Sequence, residues 1–191
     1  MGKPTYLPLL NSIAVNEAKG EQLLKTWANA TSDPQLKSAL AFVAIREGEH
    51  AWAFTKRMCE LGYEVDEGSA YQVFKNFDDL LACAASGASD ADKVEMLTGG
   101  DNDNADAKRS DPFRGFFNDT TIDPATGALL GRYIAEERDS GRRLREAYDR
   151  VCAHAPAQRN GSESELSELR ECVLSLQDDV TKLRKKLKKI A

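Results

Sequence analysis

Apolar positions recur along most of this chain at spacings of three and four, which predicts helices throughout. In the first segment Leu10, Ile13, Leu24 and Trp27 share one face with Glu17 and Gly20, predicting a helix over residues 7–30. Asp33-Pro34 then reads as an N-cap followed by proline at the first helical position. A second helix is expected from there to Leu61, stopped by Gly62, with Leu36, Leu40, Val43, Glu47, His50, Phe54 and Met58 along its inner stripe. Between residues 63 and 122 the pattern is less regular. A broad apolar face over residues 70–85 and a shorter one carrying Val94, Met96 and Leu97 predict two more helices. Gly99-Gly100-Asp101-Asn102-Asp103-Asn104 reads as a loop, and it lacks the glycine and closing glutamate of a calcium-binding EF-hand. Asp123-Pro124 opens a last long helix that runs to about His154, before Pro156. Its stripe is Leu130, Tyr133, Glu137, Ser140, Leu144, Ala147 and Val151.

The C-terminal pattern is narrower. Leu166, Leu169, Val173, Leu176, Val180, Leu183, Leu187 and Ile190 alternate spacings of three and four, a strict heptad repeat. Valine at two a positions and leucine at most d positions lean towards a parallel dimer. Glu165–Arg170 and Asp179–Arg184 place opposite charges at g and the following e. The expected organisation is therefore a helical body over residues 1–155, a polar linker over 156–165, and a coiled-coil tail over 166–191 through which the chain forms a homo-oligomer. The fold class is all-α.

Composition narrows the function. The chain has 191 residues, a formal net charge of −5, and 41% hydrophobic residues. That supports a packed core and argues against a generic nucleic-acid binder, which needs surplus cations. No run of about 20 apolar residues is present, so no membrane span is expected. The cysteines at 59, 83, 152 and 172 form no Cys-x-x-Cys pair, and with no apolar leader a cytoplasmic protein with reduced thiols is expected. Phosphate-binding glycine loops and nucleophile elbows are missing too. There are two histidines, His50 and His154. Sites built on three imidazoles are thus excluded, while a carboxylate-rich centre with one imidazole is not.

Such a centre is what the interrupted stripes suggest. Glu17, Glu47, His50 and Glu137 all fall on inward faces, on three different helices. Buried carboxylates are costly unless paired, protonated or bound to metal. Glu47 and His50, three residues apart, leave one helix face together. Pairing of Glu47 with Arg46 or Lys19, without metal, would satisfy the same pattern.

Residues 9–63, with Asn16-Glu17-Ala18, Glu47-Gly48-Glu49-His50 and Glu60-Leu61-Gly62-Tyr63, resemble the first helix pair of ferritin-like and rubrerythrin-like di-iron proteins. Tyr133-Ile134-Ala135-Glu136-Glu137-Arg138-Asp139-Ser140 resembles the last helix of that fold. The resemblance implies a ferritin-like four-helix bundle, here followed by a C-terminal coiled coil. It implies metal ligands at Glu17, Glu47, His50 and Glu137, and iron- or oxygen/peroxide-related oxidoreductase chemistry. Its second Glu-x-x-His is incomplete, because Ser140 stands where the histidine belongs, and only Asp78 and Glu95 are candidates for a third-helix carboxylate. One or two iron ions, another divalent metal, or no metal at all remain open. So does the alternative of a metal-free helical module acting as an oligomerising or adaptor protein.

Overall fold

The computed structural model describes residues 3–74, 76–98, 113 and 115–154. The chain divides into a unit ending at Ala153 and a second beginning at His154. The linker, the heptad tail and the loop at residues 99–104 lie outside the described residues.

Every described regular element is helical. The order is α1 (Leu7–Ala30), α2 (Pro34–Glu60), a short 3₁₀ turn (Glu67–Ser69), α3 (Phe77–Ala85), α4 (Asp90–Thr98) and α5 (Pro124–His154). The starts follow the expected capping chemistry. Asp33 accepts hydrogen bonds from the backbone N–H groups of Gln35 and Leu36, with Pro34 opening α2. Asp123 does the same for Ala125 and Thr126 at the start of α5. Gly62 ends the second helix at φ 83°, a conformation costly for any residue with a Cβ.

Contacts between the three long helices fix their directions. Pairs between α2 and α5 run in opposite senses, from Arg57 with Asp123 at one end to Arg46 with Asp139 at the other. Pairs between α1 and α5 run in the same sense, from Tyr6 with Asp123 to Trp27 with Tyr148. Thus α2 is antiparallel to both.

The region between α2 and α5 departs from the expectation of a helix over residues 70–85. That helix starts only at Phe77. Residues 70–74 are non-helical because α1 supplies side-chain partners for their backbone: Ser12 Oγ accepts from the Tyr71 N–H, Asn16 Oδ1 accepts from the Val73 N–H, and Asn16 Nδ2 donates to the Tyr71 carbonyl. Asn11 grips Asp66 in the same way. Tyr71 and Val73, expected in the core, are exposed. The shorter helix does form, as α4. It docks through Asp90, whose carboxylate accepts from Trp27 Nε1 and Thr31 Oγ1, and through buried Lys93, whose Nζ donates to the Ala84 carbonyl at the end of α3.

The core falls into two apolar layers. One contains Leu23, Leu24, Trp27, Leu36, Leu40, Val43 and Ala147. The other contains Tyr6, Leu10, Ile13, Phe54, Met58, Leu130 and Tyr133. Each large side chain so buried contributes about 1.5–3 kcal/mol. Glu17, Gly20, Glu47, His50 and Ser140 lie between these layers in sequence on their helices. The stripes thus deliver polar groups to a single level.

Candidate metal centre

His50 organises that level. Its Nδ1 lies 3.2 Å from Glu17 Oε2 and 3.2 Å from Glu137 Oε1. Its Nε2 lies 2.8 Å from Glu136 Oε2. Glu17, on α1, also accepts from the Tyr133 hydroxyl of α5 at 2.8 Å. The Tyr133 ring meets the imidazole edge-on, with centroids 5.0 Å apart, and meets Phe54 in the same manner. One ligand atom from each of Glu17, His50 and Glu137 can be chosen so that all three lie within 4.8 Å of one another. Three helices therefore bring three of the four expected ligands to one point. Glu137 Oε1 is buried and makes no hydrogen bond.

Glu47 lies beside these three, its carboxyl close enough to feel the charges of Glu17 and Glu137. Its carboxyl packs where a Cβ at position 20 would be, so Gly20 is what admits it. Neither Arg46 nor Lys19 pairs with it: Arg46 turns to Asp139, and Lys19 binds Glu67 and Gln72. Burial, with the charges of Glu17 and Glu137 beside it, pushes the Glu47 carboxyl up to about 10. Burial alone would lower the His50 pKa, but the carboxylates of Glu137, Glu17 and Glu136 around the ring outweigh it and raise it to about 10. Burial and the same carboxylates push the Tyr133 hydroxyl well above its ordinary value. Against the opposing effect of its partial burial, Glu136 is held below the ordinary range by His50 and by Arg132, whose Nε is 2.9 Å away.

The two candidates for a third-helix ligand, Asp78 and Glu95, are exposed and take no part in the group. Ser140 is 2% exposed, and its hydroxyl accepts from Arg46 Nη1 at 3.1 Å. The sequence reading missed two partners. Glu136 escapes the pattern because only its neighbour Glu137 falls on the inner stripe of the helix. Residues adjacent in a helix point about 100° apart, so the pair can flank an imidazole from both sides. Tyr133, on the apolar stripe, has the sequence pattern of a core residue. Its position one turn before Glu137 was the available signal.

A cleft of about 580 Å³ opens on this level between α2 and α5. His50, Glu136 and Tyr133 line it, with Ile45, Trp52 and Leu129 among its apolar residues. Trp52 is 67% exposed there, with Lys56 Nζ 5.6 Å from its ring centroid.

No family model matches the chain, and no curated protein or solved structure matches it. Among the described residues no helix is long and apolar enough to cross a membrane.

Proposed function

We propose that residues 1–155 form a ferritin-like body whose Glu17, His50 and Glu137, with Glu47 adjacent, bind a transition-metal ion, iron being the expected one. The observation that carries this is the buried Glu137 Oε1, without a hydrogen bond, converging with Glu17 on His50 Nδ1. Oxygen donors and one imidazole suit iron, manganese or zinc. Bound there, a redox-active ion supplies Lewis-acid and electron-transfer chemistry of the iron- or oxygen/peroxide-related oxidoreductase kind.

The chain's own residues prepare the centre. Glu136 accepts the Nε2–H of His50, fixing the ring and leaving Nδ1 to face the carboxylates. Tyr133 donates to one oxygen of Glu17, so that the other is directed at His50. The cleft supplies an approach past Trp52 to the Glu136 edge.

The second reading is a metal-free helical module acting as an oligomerising or adaptor protein. The contact between Arg46 and Ser140, at the position where the resemblance would place a second histidine, favours it. Elemental analysis of protein purified without chelators separates the two. About one iron, manganese or zinc per chain, lost in His50→Ala and Glu17→Ala, supports the centre. Well under one, unchanged after loading, supports the module.

In either case we propose a homo-oligomer through heptads 166–191, and a cytoplasmic protein.

A further inference from the structure

We infer that this centre holds one metal ion, not the pair that the ferritin-like resemblance implies, and that the Arg46 guanidinium is the fixed cation of the second half. The inference rests on the metal-binding reading above.

The donor set is the first ground. Two ions about 3.5–4 Å apart need carboxylates between them and further ligands on both outer sides. Glu17 and His50 supply one outer side, and Glu137 with the adjacent Glu47 supplies the carboxylates. The other outer side is where Ser140 stands, one turn beyond Glu137 on α5. Its hydroxyl is already engaged by Arg46. A neutral serine oxygen is a weak ligand for a divalent ion beside carboxylate and imidazole.

The second ground is the backbone beside α1. An inward carboxylate on a third long helix would complete a second set of ligands. Residues 70–74 are instead held as non-helical chain by Ser12 and Asn16. Glu67 is drawn off to Lys19, and Asp66 is spent on capping the 3₁₀ turn. Asp78, the first acid of α3, is exposed.

The third ground is charge. Arg46 Nη1 bonds three acceptors of α5: the Glu136 carbonyl at 3.0 Å, Asp139 Oδ2 at 3.0 Å and Ser140 Oγ at 3.1 Å. The Phe42 ring lies against the same guanidinium, 4.7 Å from centroid to Cζ, with Arg143 also 4.6 Å from that ring. A cation so fully bonded does not move aside easily. It stands on the face of α5 that the missing histidine would have used, and it repels a second metal ion while neutralising part of the same negative charge.

The test uses the full chain, stripped with chelator, loaded with Mn(II) and desalted. The expected result is one Mn(II) per chain, with the six-line electron paramagnetic resonance spectrum of an isolated ion. Arg46→Met combined with Ser140→His is expected to take up a second ion and to show the broadened spectrum of a coupled pair. Two ions in the unaltered chain would overturn the inference and leave the metal-binding reading standing. None would overturn both. A double variant that keeps the parent's far-ultraviolet circular dichroism yet stays at one ion would overturn the role given to Arg46. Should that variant not fold, Arg46→Gln with Ser140→His, which retains hydrogen-bond donors at position 46, is read by the same criteria. The count in the unaltered chain stands independently of both.

Discussion

His50 Nε2 lies 2.8 Å from Glu136 Oε2, on the opposite ring edge from the nitrogen that faces Glu17 and Glu137. The two nitrogens therefore have separate tasks: one is anchored, the other is available as a ligand.

Glu136→Gln tests that division. An amide can still contact the imidazole but no longer favours a proton on Nε2 as a carboxylate does. We expect metal affinity to fall about 10–100-fold, with little change in melting temperature, since Glu136 lies at the cleft rather than in an apolar layer. Titration with Co(II), followed by its visible absorption, measures the first effect, and thermal unfolding of the metal-free protein measures the second. Unchanged affinity would refute the anchoring role.

Metal binding should release protons. With the His50 pKa raised to about 10, the imidazole carries both protons at neutral pH, and the Nδ1 proton must leave before a metal can bind. Affinity should therefore increase with pH between 6 and 9. Calorimetry in buffers of different ionisation enthalpy should report at least one proton released per ion at pH 7. In the metal-free protein the dependence of stability has the opposite sense. A folded pKa above the unfolded 6.5 contributes stability that is complete below 6.5 and lost as pH rises towards about 10. Glu47, raised from 4.5 to about 10, acts in the same direction, because the native state keeps a proton that the unfolded chain has already given up. Urea denaturation from pH 6 to 10 should show a steady decline without metal and a weaker one with it.

Gly20→Ala separates helix propensity from the site. Alanine favours the interior of α1 by up to about 1 kcal/mol. Its Cβ would occupy the place of the Glu47 carboxyl, which must then swing away. Stability should stay within about 1 kcal/mol of the parent, while Mn(II) affinity drops. A variant that unfolds, or binds metal as before, would contradict this geometry.

Asp33→Ala removes the cap of α2 and the partner of Arg150, whose Nη2 is 2.6 Å from Asp33 Oδ1. We expect a loss of about 1–2 kcal/mol at pH 7. The Arg150 hydrogen bond and the Leu36 backbone N–H hold this carboxyl well below its ordinary 3.8. Its contribution is therefore present above pH 3.8 and disappears as acid protonates the folded form. The difference between parent and variant should narrow below pH 3, by urea denaturation at each pH.

Deleting residues 162–191 should reduce the mass measured by light scattering without changing metal content. An unchanged oligomer would refute assembly through the heptads.

The long helices were legible in the sequence because their cause is local. Spacing of three and four, Asp33-Pro34 and Asp123-Pro124 at the starts and Gly62 at a stop act within a turn or two of the residues they govern. The stripes also carried most of the candidate centre, since a glutamate between Ile13 and Gly20, or between Tyr133 and Leu144, faces inward wherever its helix packs. Three things depended on tertiary contact. Residues 70–74 have an apolar pattern suited to a helix, but hydrogen bonds from Ser12 and Asn16 of α1 draw their backbone out of it. Glu136 is off the stripe, and becomes part of the site only because α2 brings His50 within 2.8 Å. Arg46 precedes Glu47 in sequence, yet its direction was decided by acceptors on α5, ninety residues and more away. Periodicity specifies the face on which a residue sits. What a polar side chain on that face binds depends on which neighbouring helix supplies charge and hydrogen-bond partners, and that is settled only when the helices pack.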